Sequence, residues 1–392
     1  MRAAKPLSLV RTRIGQRLCI GAFVACLVIP MLAQVFAAAT DLDVAAIEMR
    51  EPAAFPQKPA SAADLSAWPG RFEAWLNDRF ALRGHFVLLN SLVQVKILRQ
   101  SPSKVVALGP DDWLFYVADR VGASAKFVHR FPVEDADRWI DLMERRRDWL
   151  AARGIPFLVV AVPNKERIYA ELLPKAYRTL RPETRFDQIK TRLAERGSTL
   201  DLLDLTPGLL AAKEKGKVYL KADTHWTRET AFALGYKPIA DRIAARLPAF
   251  TPLPDDAVET VDEMRPGQAL DLARMIGLAA ISSEPERVTR LRDDGGVRQE
   301  ETVKDSITTT RFTRAKPGPK LVWYRDSFSI TLYPFVAASA GEVVFTEHRF
   351  FYFDPDLIAR ERPDIVVYQF NERFLAAPVA ARDDLRANVA LP

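Results

Sequence analysis

The longest apolar run of this chain lies near the N-terminus. Residues 18–39 are apolar except for Gln34, and a run of this length matches a helix that crosses the hydrocarbon core of a bilayer. The residues before it, 1–17, carry five cations and no acid. The pattern therefore predicts a cytoplasmic basic arm over 1–17 and a transmembrane anchor over 18–39.

A second interpretation of this segment stays open at the sequence level. Ala37, Ala38 and Ala39 are small residues that suit cleavage of a secretory signal. In both interpretations the basic arm stays in the cytoplasm and the rest of the chain is exported. We expect a periplasmic protein that the N-terminal helix anchors in the inner membrane.

The region after the anchor predicts a linker, two helices and a hairpin. Residues 40–64 are rich in Ala, Pro and Ser and predict a linker. Apolar residues recur at helical spacing over 72–82, and 86–98 is a second helix candidate. Residues 105–117 are β-branched and aromatic around a Gly-Pro turn, which is typical of a β-hairpin.

The central part of the chain indicates an α/β fold. Residues 155–162 form a continuous apolar run, as expected of a strand buried on both faces of a parallel sheet. A helical pattern over 183–196 and a β-rich stretch over 199–205 complete a βαβ unit. Short β-rich stretches that run into polar residues return later in the chain, at 320–330, 341–347 and 363–373.

One internal segment departs from this pattern. Residues 248–318 are rich in Pro, Asp, Arg and Thr and show little strong periodicity. We interpret this segment as an insertion or cap over the sheet. The exported domain is thus expected to span 65–392, with its insertion at about 248–318.

Composition and charge narrow the function classes. The chain is 48% hydrophobic and 27% charged over 392 residues, which excludes a disordered protein. The formal net charge is +6, but the five cations of the basic arm leave the rest near neutral. The sequence thus gives no support for a nucleic-acid partner. It also lacks a P-loop, a GxGxxG after a strand and an HExxH, so neither a cofactor nor a metal site is predicted.

Two motifs carry residues suited to acyl transfer. Asp223 stands two residues before His225, where an acid can orient an imidazole and balance its charge. Ser327 follows a β-rich stretch, at the edge of the sheet where α/β folds place nucleophiles. Taken separately, both motifs are equally compatible with helix capping.

A third motif follows the last predicted strand. Asn371 is placed at the end of the stretch 363–373, where its amide is able to donate to an oxyanion. An ordinary turn explains the same residue equally well.

Together the motifs resemble a known family. The chain resembles the periplasmic polysaccharide O-acetyltransferases of the alginate-acetylation type, whose catalytic domain is similar to SGNH hydrolases. The residues that carry the resemblance are FEAWLNDRFALR (72–83), VVALGPDDWLFY (105–116), VPNKERIYAELLP (162–174), DTHWT (223–227), YRDSF (324–328) and PDIVVYQFNER (363–373). It implies an SGNH-hydrolase-like three-layer α/β sandwich with a mainly parallel sheet, preceded by the transmembrane helix.

The resemblance also implies roles for individual residues. Ser327 is expected to be the nucleophile, His225 the general base and Asp223 its orienting acid. Asn371, with the backbone N–H of Ser327, is expected to bind the oxyanion. Arg325 stands where ordinary SGNH hydrolases carry glycine, and it is a candidate for contact with an anionic sugar or the acyl oxygen, or for a salt bridge to an acid.

The expected function is transfer of an acetyl group, through an acyl-serine, onto hydroxyls of an exported polysaccharide that is alginate-like or another exopolysaccharide. The implied partners are a membrane-bound O-acyltransferase that supplies acetyl groups, the polysaccharide acceptor and other polysaccharide secretion subunits. Two alternatives remain: an acetyl esterase of the same fold, and a non-catalytic glycan-binding subunit of the same machinery.

Overall fold

The computed structural model describes residues 13–36, 51–117, 132–178, 183–348, 351–376 and 385. The chain divides into two compact units. The first contains Met1–Pro102 and Arg274–Ile281, and the second contains Ser103–Ala273 and Ser282–Pro392.

The helices of the first unit follow the predicted order. They are α1 (Arg13–Phe36), α2 (Ala62–Asp78) and α3 (Arg83–Leu92), and α3 continues as a π-helix over Val93–Ile97. Among the described residues, α1 alone is long and apolar enough to cross a membrane, with a mean hydropathy of 1.9 over Gly15–Gln34. A signal sequence has the same properties. The predicted cleavage site and the first part of the predicted linker, 37–50, lie outside the described residues, as does most of the basic arm.

The second unit alternates strands and helices. Its strands are β1 (Val106–Leu108), β2 (Leu114–Tyr116), β3 (Phe157–Val162), β4 (Leu202–Asp204), β5 (Val258–Pro266), β6 (Ser283–Leu291), β7 (Arg298–Lys304), β8 (Ile307–Thr313), β9 (Lys320–Arg325), β10 (Glu342–Glu347) and β11 (Ile365–Asn371). Its helices are α4 (Val133–Ala151), α5 (Lys165–Ile168), α6 (Lys175–Arg178), α7 (Arg185–Glu195), α8 (Thr206–Lys213), α9 (Arg228–Thr230), α10 (Lys237–Ala244), α11 (Asp271–Met275, which runs into the first unit), α12 (Tyr333–Ser339) and α13 (Pro355–Glu361).

The central sheet has seven strands in the order β4-β3-β11-β9-β10-β8-β7. The five strands from β4 to β10 are parallel, and β8 and β7 extend the sheet in antiparallel fashion. The predicted fold class, an SGNH-like α/β domain with a mainly parallel sheet, is confirmed. The hairpin predicted over 105–117 is also present, as β1 and β2.

The central strands of the sheet are buried on both faces, and they are apolar over most of their length, with polar residues such as Gln369 and Asn371 towards the carboxyl end. All six residues of β3 and all seven of β11 are buried. On one face Trp323 and Phe345 pack with side chains from α8, α10 and α12. On the other face Tyr324 and Tyr368 pack with side chains from α4, α7 and α13. Three layers result, and every parallel strand ends at the same edge of the sheet.

The segment predicted as an insertion contains four strands. Strands β5 and β6 form a separate two-stranded sheet, whereas β7 and β8 belong to the central sheet. The interpretation as a cap over the sheet did not anticipate this, because β7 is exposed at all seven positions and lacks an apolar face. The proposed domain limits, 65–392 with an insertion at 248–318, remain a prediction.

Candidate active site

Asp223, His225 and Ser327 meet at the edge where the parallel strands end. His225 Nδ1 lies 2.6 Å from Asp223 Oδ1, and His225 Nε2 lies 2.8 Å from Ser327 Oγ. Asp223 is buried, whereas Ser327 is exposed. We call these three hydrogen-bonded side chains the Asp–His–Ser array. The sequence analysis named all three residues.

Two backbone N–H groups hold the carboxylate of Asp223. Asp223 Oδ1 accepts from the backbone N–H of His225 at 2.8 Å, and Oδ2 accepts from the N–H of Asp271 at 3.0 Å. Burial by itself raises the pKa of Asp223, but its hydrogen bonds and the neighbouring His225 outweigh burial and lower the pKa to about 2. An ionised carboxylate only accepts hydrogen bonds, so Nδ1 of His225 carries a proton. In the neutral imidazole, Nε2 is then the acceptor that faces Ser327.

The turn that presents Ser327 is fixed by the residue before it. Asp326 caps the 3₁₀-helix Ser327–Leu332, and its Oδ1 accepts from the N–H of Phe328 at 2.9 Å. Its Oδ2 accepts from the N–H of Asn371 at 2.6 Å, which ties the end of β9 to the end of β11. Burial raises the pKa of Asp326, and the two backbone donors oppose that shift. The N–H of Ser327 itself has no hydrogen-bond acceptor among the described residues, as expected at the first turn of a helix.

Asn371 is buried close to the array, but its side chain is engaged with the backbone. Nδ2 lies 3.2 Å from the carbonyl oxygens of both Val162 and Pro163, at the end of β3. Oδ1 accepts from Arg373. An oxyanion role for this amide, as the sequence analysis expected, requires the release of at least one of these contacts.

Arg325 is the last residue of β9 and is buried. Its Nη1 lies 3.1 Å from Glu347 Oε1 at the end of β10. The salt bridge to an acid, one of the three contacts considered from the sequence, is thus formed, and a contact of Arg325 with substrate stays a prediction. Arg325 is not among the residues with positive φ, so the substitution of arginine for glycine brings no left-handed backbone strain.

Two residues near the array were missed from the sequence. Asp271 accepts from the N–H of Thr224 at 2.8 Å, and its Oδ2 lies 3.7 Å from His225 Nδ1. Lys165 is fully buried and donates to the carbonyl oxygens of Asp223, Lys221 and Leu220 at 2.7, 2.9 and 3.0 Å. The signal for Lys165 was available: it is a charged residue in the motif 162–174, directly after the most apolar strand.

The carboxylates around His225 also resemble a metal-ligand group. One ligand atom from each of Asp223, His225 and Asp271 lies within 4.8 Å of the others. A divalent ion would have to displace the hydrogen bond between His225 Nδ1 and Asp223. We therefore assign Asp223 and His225 to the Asp–His–Ser array, with Asp271 as a neighbouring residue, and the expectation of no metal site stays a prediction.

Comparison with known proteins identifies the family of the domain. The family model for the SGNH hydrolase-like domain of the acetyltransferase AlgX matches residues 106–317, slightly more than half of the chain. The matched region includes Asp223 and His225 and ends before Ser327.

Curated relatives of similar sequence include two proteins from Pseudomonas species. A probable alginate O-acetylase AlgJ of Pseudomonas syringae pv. tomato is 26% identical over 196 residues, which cover 50% of this chain and 46% of that protein. The probable alginate O-acetylase AlgJ of Pseudomonas aeruginosa is 26% identical over 192 residues, 48% of this chain and 45% of that protein. The chain thus spans about half the length of the curated relatives it matches.

A solved structure shows the same fold. Bacillus cereus PatB1, determined with a sulfonyl adduct, aligns with a TM-score of 0.53 and 12% sequence identity, over 69% of this chain and 97% of PatB1. From the family match, this chain belongs to the family of SGNH hydrolase-like domains of the acetyltransferase AlgX.

Proposed function

We propose that this protein is an O-acetyltransferase that moves an acetyl group, through an acyl-serine intermediate, onto hydroxyls of an exported polysaccharide. The observation that carries the proposal is the pair of short contacts from one imidazole, 2.8 Å to Ser327 Oγ and 2.6 Å to Asp223 Oδ1. A free serine hydroxyl is a weak nucleophile, and this arrangement supplies the base that activates it.

The first half-reaction forms the acyl-enzyme. Ser327 Oγ attacks the acetyl carbonyl carbon of the donor while its proton moves to His225 Nε2. The resulting imidazolium lies against ionised Asp223, which stabilises it. The tetrahedral intermediate then collapses, the bond to the donor oxygen breaks, and His225 returns the proton to the departing group.

The negative charge on the tetrahedral oxygen requires a hydrogen-bond donor. We infer that the free N–H of Ser327 supplies it, because this donor points from the first turn of a helix and has no other described partner. Asn371 then acts chiefly by fixing the ends of β3 and β11 beside the array. Arg325, which faces Glu347, stabilises the sheet edge.

The second half-reaction transfers the acetyl group to the acceptor. A sugar hydroxyl takes the place of the donor, gives its proton to His225 and attacks the acetyl-serine carbonyl. Ser327 Oγ leaves and takes the proton back. Water is able to replace the sugar in this step, so an esterase is the second candidate function, and the exposure of Ser327 favours it.

The implied partners follow from the compartment. We propose that α1 anchors the protein in the inner membrane, that a membrane-bound O-acyltransferase delivers the acetyl group there, and that other polysaccharide secretion subunits present the polymer. The relatives named as probable alginate O-acetylases support an alginate-like polysaccharide as the acceptor.

The test is acceptor-dependent turnover of the full-length protein in detergent. A 4-nitrophenyl acetate donor is supplied with or without oligosaccharide, and both acetate and O-acetyl sugar are quantified. We expect O-acetyl sugar from the native protein and a loss of about three orders of magnitude in the Ser327→Ala and His225→Ala variants. Acetate release that ignores the acceptor favours the esterase. No turnover that depends on Ser327 favours a non-catalytic glycan-binding subunit.

The matched control is Ser329→Ala. Ser329 lies two residues along the same helix, but its hydroxyl donates to Gln369 at 2.6 Å and does not face His225. The control variant should retain turnover. If it loses as much as Ser327→Ala, the assignment of the nucleophile is wrong.

A further inference from the structure

Helix α3 and the π-helix that continues it carry a row of exposed apolar side chains. Four apolar residues within 83–97 are spaced three and four residues apart, which places them on one face of a helix. They are 37% to 71% exposed, and we call them the apolar stripe: Phe86, Leu89, Val93 and Ile97. A surface helix of a water-soluble domain presents mainly polar side chains on its outer face, so the apolar stripe indicates an interaction surface.

The other side of the same helix is packed within the first unit. Gly84, Ser91 and Val95 are buried, and at about 100° per residue they lie roughly opposite the apolar stripe. Gly277, in the segment Arg274–Ile281 of the same unit, comes so close that a Cβ built on it would lie 2.8 Å from Ser91 Oγ. The helix therefore has two apolar sides, and the packing of the unit uses one of them.

The start of α3 lies at the end of the candidate membrane span. Gln34 is the last residue of the span Gly15–Gln34 in α1. Its Nε2 donates to the carbonyl of Arg79 at 3.2 Å, and its Oε1 accepts from the N–H of Ala81 at 2.9 Å. Arg79 and Ala81 belong to the turn between α2 and α3. These two hydrogen bonds place that turn at the C-terminal end of α1, where the hydrocarbon core of a bilayer gives way to its headgroups.

The charge of the same segment suits an anionic surface. Residues 83–100 contain three cations, Arg83, Lys96 and Arg99, and no acid. A helix with an apolar face and basic residues beside it is typical of the interface of membranes that contain anionic lipids. Its apolar side chains enter the boundary between headgroups and acyl chains, while long cationic side chains reach the phosphates.

We propose that the apolar stripe lies in the headgroup region of the bilayer that α1 crosses, on its periplasmic side. The occupant of the stripe is lipid because the hydrogen bonds of Gln34 fix the start of α3 at the end of the span, and because the basic segment matches anionic headgroups. The inference rests on the proposed anchoring by α1 and adds a second contact of the first unit with the membrane.

The test measures lipid contact at single labelled positions of the full-length protein. The two cysteines, Cys19 and Cys26, are replaced by alanine, and Leu89→Cys is introduced and labelled with bimane. The protein is reconstituted into vesicles of phosphatidylethanolamine and phosphatidylglycerol that contain lipids brominated in the upper part of the acyl chain. The label should lose at least about half of its fluorescence, because an interfacial helix buries its apolar face about 5–10 Å into the headgroup and acyl boundary.

The matched control is His85→Cys in the same background. His85 is exposed as well, but it directly precedes Phe86 and so points about 100° away from that member of the apolar stripe. Its label should keep most of its fluorescence in the presence of brominated lipid and should be quenched by iodide in the water.

A charge within the apolar stripe should weaken the contact. Val93→Glu, added to the Leu89→Cys protein, should lower the quenching by brominated lipid at least about twofold, because the carboxylate would have to leave water. Gln100→Glu adds the same charge at an exposed position beyond the stripe and is the control. Equal effects of the two substitutions on the quenching would contradict the inference.

A label in α1 separates the inference from the proposed anchor. In the Cys19→Ala protein, bimane on the native Cys26 reports on the middle of the span and should be quenched by lipids brominated near the end of the acyl chain. If it is not, the proposed anchoring fails and the inference fails with it. If Cys26 is quenched but the label at Leu89→Cys is quenched no more than the label at His85→Cys, the inference alone is overturned. A label at Leu89→Cys that is shielded from iodide without quenching by brominated lipid overturns it too, since protein then covers the stripe.

Discussion

At the scale of single residues, the position of Asp223 depends on the buried side chain of Lys165, which lies outside the Asp–His–Ser array. Lys165 donates to three carbonyl oxygens of the loop 220–223, and one of them belongs to Asp223 itself. Three acceptors use all three hydrogens of an ammonium group, so the contact requires the protonated lysine. Burial lowers the pKa of Lys165 to about 8. The loop thus depends on a cation that loses its proton as pH rises through about 8.

This predicts an alkaline limb in the pH profile. As pH rises through about 8, Lys165 loses one hydrogen and one carbonyl contact, and activity should fall. Lys165→Met should lower kcat roughly tenfold to a hundredfold at neutral pH through misplacement of Asp223, and it should remove the alkaline limb. The measurement is kcat against pH for both proteins, with thermal unfolding to verify that the variant folds.

The control is Lys213→Met, because Lys213 also donates to a backbone carbonyl, that of Ile168, away from the array. It should keep the native pH profile. A Lys165→Met protein with native kcat and an unchanged alkaline limb would contradict the positioning role.

At the scale of elements, the turns that lead into β9 and β10 touch at two glycines. A Cβ on Gly341 would lie 2.6 Å from the backbone nitrogen and 2.7 Å from the carbonyl carbon of Gly318. Gly341 also donates to the carbonyl of Pro319 at 3.0 Å. Both strands therefore begin from one close backbone contact, and β9 leads directly to Ser327.

Gly341→Ala should consequently destabilise the folded protein by about 1–3 kcal/mol, since backbone has to move to admit the methyl group. Gly216→Ala is the control, because no atom lies within 4 Å of a Cβ built there. The measurement is the free energy of unfolding in urea. Equal stability of the two variants would show that the contact between the turns is unimportant.

The elements also show which parts of the fold the pattern is able to predict. Strand β3 was predicted because a strand buried on both faces reads as a continuous apolar run. Strand β11 was predicted as a short β-rich stretch that runs into polar residues. Strand β7 was not, because it lies at the sheet edge and all of its residues are exposed. The position of β7 depends on its pairing with β8, and the spacing of apolar residues along a chain does not show which strands pair.

In the candidate active site, contacts between residues close in sequence were predictable and contacts between distant residues were not. Asp223 and His225 are two residues apart, and their relation was predicted from spacing alone. Ser327 is 102 residues from His225, and only the family resemblance joined them before the structure. Lys165 and Asp271 escaped prediction because their contacts with the loop at Asp223 cross 58 and 47 residues of chain.

At the scale of the whole molecule, the proposed function requires an exported domain held at the membrane. Helix α1 offers a span over Gly15–Gln34 with a mean hydropathy of 1.9. We predict that the full-length protein stays in the membrane fraction after an alkaline wash and keeps its N-terminal residues, and that protease added to spheroplasts digests the domain. A soluble periplasmic protein whose sequence starts near residue 40 would instead show a cleaved signal.

In the proposed reaction, Ser327 carries the acetyl group. The most direct measurement treats the full-length protein with 4-nitrophenyl acetate, quenches it in acid and maps acetylated peptides by mass spectrometry. We predict acetyl on Ser327 in the native protein and in Ser329→Ala, and none at this position in His225→Ala. Acetylation at another residue, or an unmodified Ser327 while the acetyl ester is consumed, would contradict the role of Ser327 as the nucleophile.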